Sequence, residues 1–178
     1  MGHRLTGTDG ERSGFAPGFT LIELVVVISL ISVMLAFSLP RFSQSLAVDQ
    51  GRKLSRWIMH KSQGIKESAV KERRIYTLHI GLDTGRLWVT HEGMDEEAFL
   101  EAEDKGYPLP DGYRVVDVEY PRRGRVSVGT AEIRYYPEGY SDKALIHVQD
   151  DDYETLSFLI EPFMSRVRRF EEHVGFDG

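Results

Sequence analysis

A single carboxylate inside an apolar run is the first chemical feature of this 178-residue sequence. Residues 19–39 read FTLIELVVVISLISVMLAFSL, and Glu23 is the one charged side chain among them. Placing a carboxylate within a bilayer costs about 2.5–3.5 kcal/mol on insertion scales. One interpretation is an acid tolerated near the membrane interface, because Glu23 lies only four residues into the run. The other is an acid that has a cationic partner.

A cut between Gly18 and Phe19 would create that partner. The new α-amine of Phe19 is a cation at neutral pH, and it would lie one helical turn from Glu23. At low dielectric an amine–carboxylate pair is strongly favoured over an unpaired acid, within one chain or between staggered neighbours. The residues therefore predict a subunit whose assembly depends on Phe19 and Glu23.

The length of the apolar run predicts a retained membrane anchor. Twenty-one helical residues extend about 30 Å, which matches the hydrocarbon core of a bilayer. An ordinary secretory signal has a shorter apolar core followed by a small-residue cleavage site, whereas here the run continues into Leu-Pro-Arg-Phe. Pro40 removes one backbone donor and is expected to kink or break the helix.

Helical periodicity resumes beyond Pro40. Apolar residues spaced for one helix face, with basic residues between them, predict an amphipathic segment over residues 41–74: Leu54, Trp57, Ile58, Ile65 and Ala69. Residues 41–74 carry nine basic and three acidic side chains, whereas residues 75–178 carry eleven basic and twenty-two acidic ones. Attraction to anionic lipid headgroups explains the basic stretch more simply than nucleic acid does, so no nucleic-acid partner is expected.

The period changes from 3.6 to 2 after residue 74. The alternation predicts strands over residues 75–80, 86–90, 113–120, 132–136, 144–149, 155–161 and 166–170, with a hairpin turn at 81–85. Residues 91–111 predict a long acidic loop with a short helix at 95–103. The expected fold class is α+β, with a long N-terminal helix (transmembrane, then amphipathic) packed on a C-terminal antiparallel sheet region, 75–178. The stripe on residues 54–69 is the expected cover for that sheet.

Enzyme chemistry finds little support in the sequence. The chain has no cysteine, so thiolate catalysis and cysteine-ligated metal are excluded. Three histidines lie on predicted strands or near turns: His79, His91 and His147. None has a second histidine or an acid at a convincing metal-ligand spacing, so we interpret them as strand or surface histidines. The run of Asp150, Asp151 and Asp152 is interpreted as a solvated turn rather than a calcium site. We therefore predict a protein without catalytic activity, cofactor or metal.

The string Gly18-Phe19-Thr20-Leu21-Ile22-Glu23 resembles the class III signal peptide of type IV prepilins and type II secretion pseudopilins. That family has a leader ending in Gly, then Phe, then apolar residues with Glu at the fifth mature position, and often a helix-breaking proline where Pro40 lies. The resemblance implies that residues 1–18 are a leader, that a prepilin peptidase cleaves after Gly18, and that Phe19 is then N-methylated. Residues 19–40 are implied to be a transmembrane assembly helix.

Residues 133–142, IRYYPEGYSD, resemble the strand and turn of the H-type minor pseudopilin of type II secretion. This resemblance implies a structural subunit at or near the tip of a periplasmic filament, which supports protein export. The implied partners are other pseudopilins or minor pilins, the inner membrane, the secretion platform and exported proteins. A FimT/FimU-like minor pilin of a type IV pilus and a membrane-anchored periplasmic binding domain are the alternatives.

The expected location is the inner membrane, with a single pass and the C-terminal domain in the periplasm. The basic residues after the span, such as Arg41 and Arg52, would by the positive-inside rule lie in the cytoplasm. The resemblance places them outside, and the specific motif is preferred over the general tendency.

Overall fold

The computed structural model describes residues 20–164 and 166–176, and of residues 36–49 it describes the backbone only. Two compact units are distinguished, Met1–Phe42 and Ser43–Gly178. The elements in chain order are α1 Leu21–Glu72, β1 Tyr76–Gly81, β2 Arg86–His91, α2 Glu96–Asp104, β3 Tyr107–Pro108, β4 Tyr113–Tyr120, β5 Gly124–Val126, β6 Thr130–Tyr135, β7 Ala144–Asp150, β8 Thr155–Ile160 and β9 Arg168–Phe170.

Helix α1 continues without interruption across Pro40, so the predicted break does not end the helix. Proline removes one backbone donor, and the hydrogen-bond ladder resumes on either side. A kink at this position stays a prediction.

The C-terminal end of α1 is set by a left-handed residue. Arg73 has a φ of +54°, and the N–H of Arg74 donates to the carbonyl of Ala69 at 3.3 Å. This is the six-to-one bond of a Schellman motif, built here without the usual glycine. Lys71 in the last turn lies at the negative end of the helix dipole.

Within the described residues, nine strands form two antiparallel sheets. The first has the order β3-β2-β1-β6, and the second has the order β5-β4-β7-β8-β9. A bulge between Val115 and Asp117 shifts the register of β4 against β7. The hydroxyl of Tyr120 on β4 donates to the carbonyl of Glu132 on β6 at 2.8 Å and so links the two sheets; burial raises the pKa of Tyr120 to about 12.

The amphipathic stripe on α1 forms one core with both sheets. Leu54, Ile58 and Ala69 are fully buried, and they share a hydrophobic cluster with Ile133 of the first sheet and Phe158 of the second. The expected cover for the sheets is therefore present, and the predicted α+β class is confirmed.

Three local expectations differ from the structure. The segment 91–111 forms the expected short helix as α2, where Asp95 accepts a hydrogen bond from the N–H of Ala98, but it also contains the short strand β3, which was not predicted. Strand β5 was not predicted, and β9 begins at Arg168 rather than at residue 166. Strand β5 has three residues, too short for alternation to reveal it, and β9 has only three of the five predicted residues.

One of the three strand histidines is held neutral by its surroundings. His79 is 5% exposed, stacks on Trp88 with ring centroids 5.1 Å apart, and has its Nε2 2.8 Å from the hydroxyl of Thr90. Burial lowers the pKa of His79, and the nearby carboxylates of Glu132 and Glu103 only partly oppose this.

We therefore expect acid to destabilise the Ser43–Gly178 unit through His79. The folded pKa lies below the unfolded value of about 6.5, so the unfolded chain takes up the proton first. The stability contribution is complete above about pH 6.5 and is lost as the pH falls through the folded pKa. His79→Gln should flatten the decline of the urea midpoint between pH 7.5 and 5.5, whereas the exposed-site control His60→Gln should not. An equal slope in both variants would contradict this account.

Two glycines in the same helix provide a matched test of packing. A Cβ at Gly64 meets nothing within 4 Å, whereas a Cβ at Gly51 would lie 2.7 Å from the hydroxyl oxygen of Tyr113. Gly64→Ala should raise the free energy of unfolding by about 0.5–1 kcal/mol. Gly51→Ala should not raise the free energy of unfolding in this way, because Tyr113 or the helix would have to move to admit the new Cβ. Urea unfolding monitored by tryptophan fluorescence measures both, and equal gains would show that α1 does not pack closely on β4.

Candidate functional site

The N-terminal end of α1 carries the candidate assembly residues. Thr20 precedes the helix, and its side-chain oxygen accepts a hydrogen bond from the N–H of Glu23 at 3.3 Å. Thr20 and Glu23 thus have the spacing and half of the bonding of a capping box, a signal that the sequence analysis did not use. Glu23 in the first turn also lies at the positive end of the helix dipole. Gly18 and Phe19 lie outside the described residues.

Apolar side chains of the first helical turns are exposed on every side. Leu21 is 81% exposed, and each large apolar side chain described from Ile22 to Leu35 is at least 42% exposed. A helix that is apolar all round requires lipid or other helices as its cover. Ser29 and Ser32 donate to the carbonyls of Val25 and Ile28, each at 2.7 Å, which satisfies both hydroxyls without water.

Within the described part of the chain, no helix combines the length and apolarity that crossing a bilayer requires. The predicted span, residues 19–40, extends beyond the residues whose side chains are described.

The C-terminal half of α1 is held by an aromatic stack and by hydrogen bonds as well as by its apolar stripe. Trp57 stacks on Tyr107 of β3 with ring centroids 4.5 Å apart. The ammonium of Lys66 donates to the carbonyls of Pro162 and Met164 at 3.0 and 3.2 Å, and burial lowers the pKa of Lys66. These contacts fix the helix against the first sheet and against the turn after β8.

The segment that resembles the H-type pseudopilin forms a well-bonded turn after β6. Gly139 has a φ of +86°, and the rings of Tyr136 and Tyr140 stack 4.6 Å apart. The carboxylate of Asp142 accepts from the Tyr136 hydroxyl at 3.2 Å and from the N–H of Arg134 at 3.1 Å. The turn is therefore shaped by residues of this segment itself.

The aspartate run at the end of β7 also shapes a turn. Asp150 accepts from the N–H groups of Asp152 and Glu154 at 3.0 and 2.8 Å. Across the described residues, no group of three or more His, Cys, Asp or Glu side chains is arranged to hold a metal ion.

A Ser-His-Asp row that sequence reasoning missed crosses the second sheet. Asp117 of β4 pairs with His147 of β7, which pairs with Ser157 of β8. Nδ1 of His147 lies 2.6 Å from Asp117 Oδ1. A hydrolytic triad needs a serine oxygen that is open to substrate and bonded to the imidazole. Here Ser157 is fully buried and donates to the carbonyl of Glu172 at 2.6 Å, so the row binds main chain instead. Sequence alone could not find it, because the three residues meet only through strand register.

Two comparisons with known proteins are informative, one for the N-terminal segment and one for the larger part of the chain. Residues 17–39 match the family model described as the prokaryotic N-terminal methylation motif. Among solved structures, the chain is similar to the minor pseudopilin EpsH from the Type 2 Secretion System of Vibrio cholerae. The identity is 12%, the match covers 65% of this chain and 98% of that chain, and the TM-score is 0.47. Similarity at this level does not decide a subtype.

The matched motif spans the Gly18–Phe19 junction, Glu23 and the whole apolar run, residues 19–39. It implies processing by a prepilin peptidase and assembly with other subunits of the same kind, and it suggests membrane anchoring. At its N-terminus the chain thus carries a methylation motif like that of type IV prepilins, and its described residues form an α+β fold.

Proposed function

We propose that this protein is an H-type minor pseudopilin of a type II secretion system, a structural subunit at or near the tip of the periplasmic pseudopilus. The observation that carries the proposal is the methylation motif over residues 17–39, and the strand-and-turn resemblance of residues 133–142 supports the H type. Residues 19–40 anchor the chain in the inner membrane and residues 75–178 lie in the periplasm. The protein supplies binding surfaces to other pseudopilins, to the secretion platform or to exported proteins, and no catalysis.

Cleavage after Gly18 gives the assembly site its charge pattern. The α-amine of Phe19 then lies next to Thr20, at the helix end where the dipole is already positive. A second cation there is unfavourable unless an acid is close, and Glu23 lies in that first turn. The exposed apolar side chains around it exclude water once lipid or a neighbouring helix covers them, which strengthens the pair.

The first experiment is the intact mass and N-terminal sequence of the membrane-extracted protein, with and without a co-expressed prepilin peptidase. We expect a chain that starts at N-methylated Phe19 only when the active peptidase is present. An inactive peptidase variant is the control. A chain that still begins at Met1 with active peptidase, or one cut after Leu39, would refute the prepilin assignment and leave an anchored binding domain.

Glu23→Gln separates the charge of Glu23 from its position in the capping box. Glutamine also fits the third helical position of a capping box, so the helix end should form and cleavage should proceed. Without the negative charge the amine has no partner, and we expect incorporation into the filament to fall at least about tenfold, the equivalent of about 1.4 kcal/mol. Thr20→Ala, which loses the cap and keeps the charge, is the matched control. Crosslinking to sister subunits measures incorporation, and normal incorporation of Glu23→Gln would remove the amine–carboxylate account.

A disrupted gene distinguishes the two machines. Loss of protein export with intact pili supports the type II secretion assignment. Loss of pili with normal export supports the minor pilin of a type IV pilus, to which the methylation motif applies equally.

A further inference from the structure

The C-terminal segment, residues 171–176, closes over a buried histidine of the second sheet. The side chain of His147 is fully buried, although the residues of the segment that covers it are exposed or half-buried. Nδ1 of His147 lies 2.6 Å from Oδ1 of Asp117, and Nε2 lies 2.7 Å from the carbonyl oxygen of Val174. The ring therefore joins a carboxylate on β4 to the main chain of the C-terminal segment.

Both ring nitrogens of His147 face an acceptor. A carbonyl oxygen and an ionised carboxylate accept hydrogen bonds and cannot donate them, whereas a neutral imidazole has a single N–H. Two donated bonds therefore need two ring protons. A proton on the carboxyl group of Asp117 would also fit the geometry, but imidazole is the stronger base of the two groups. The arrangement is that of an imidazolium, protonated at Nδ1 and Nε2, beside a carboxylate.

The charges around the ring also favour the second proton. Glu119 lies two residues from Asp117 and so on the same face of β4, and its Oε2 lies 3.2 Å from a guanidinium nitrogen of Arg125. With His147 protonated, these four side chains carry no net charge. A neutral ring leaves the buried carboxylate of Asp117 without the charge of its partner, and a buried charge that has lost its partner is strongly unfavourable.

We propose that Asp117 and His147 form a proton-dependent clasp on the C-terminal segment, closed while the ring is doubly protonated and weakened when the ring loses one proton to solvent. The remaining proton goes to Nδ1, because a hydrogen bond to a carboxylate is stronger than one to a carbonyl. The lone pair of Nε2 then faces the carbonyl oxygen of Val174, and this contact becomes repulsive. The segment keeps only its bonds to Ser157 and Glu119 among those described.

Closure of the clasp weakens as the pH rises. The closed form needs an N–H at Nε2 and the open form does not, so the closed form holds the second proton more tightly. Closure is complete below about pH 6.5, where a solvated imidazole is protonated, and is lost as the pH rises through deprotonation of the closed form. The ring of His173 also titrates beside the clasp, with its centroid 4.1 Å from that of His147, and a charge on it opposes closure at low pH.

Asp117→Asn distinguishes a proton-dependent clasp from a fixed hydrogen bond. The asparagine amide donates to Nδ1, so a neutral ring with its proton on Nε2 keeps the bond to Val174 at any pH. Amide hydrogen exchange of the full-length chain in detergent micelles, corrected for the intrinsic rate at each pH, measures closure. From about pH 6.5 to about pH 8.5, protection of the Val174 and Phe176 amides should fall about tenfold or more in the unsubstituted chain and less than about twofold in Asp117→Asn. The amides of β7 should stay protected in both, which separates opening of the clasp from unfolding.

The ring protons of His147 test the clasp in the unsubstituted chain. With isotope-labelled histidine, NMR should detect an N–H on both ring nitrogens at about pH 6.5 and on Nδ1 alone at high pH. His173→Gln removes the neighbouring ring and is the matched control, in which the pH dependence of Val174 exchange should persist. A single ring N–H on His147 at about pH 6.5, the same pH dependence in Asp117→Asn, or its loss in His173→Gln would overturn the proposal.

Discussion

The structure depends on how the apolar surface of α1 is covered. From Leu54 to Ala69 the apolar residues form one stripe, and burying them completes the core that both sheets share. From Leu21 to Leu35 the apolar residues surround the helix and none is buried in the described chain. The protein's own sheets can bury an apolar stripe on one face of a helix. A helix that is apolar on all sides needs lipid or another helix to cover it. The two parts of one helix therefore need different partners. The proposed function depends on the part from Leu21 to Leu35, whose apolar surface needs an external cover.

The acid at the start of α1 has a capping position in the structure and an assembly role in the proposed function. Its backbone N–H is bonded by Thr20, and its charge lies where the helix dipole favours an anion. A capping role explains the choice of Glu or Gln at this position, but it does not explain a charge within an apolar surface. In the proposed function the additional reason is the cation that processing would create at Phe19, so one residue would serve both helix stability and assembly.

The second sheet contains a buried polar cluster that bonds to the chain's own backbone. Asp117, His147 and Ser157 are the residue types of a nucleophilic triad, but the hydroxyl and the imidazole are both bonded to the main chain of residues 172–174. Residues 171–176 cover this cluster, and their own side chains are exposed or half-buried.

Local patterns in the sequence determined much of this protein. Spacing of apolar residues located α1, the cover of the sheets and seven of the strands, because burial imposes a period of 3.6 or 2 on each element. The motif from Gly18 to Glu23 is contiguous, so it could be identified without any fold. Tertiary structure decided the rest: the two-sheet order, the short strands β3 and β5, the continuity of α1 through Pro40, and the row of Asp117, His147 and Ser157. These depend on register between segments far apart in the chain, and no local pattern encodes which residues a register brings together.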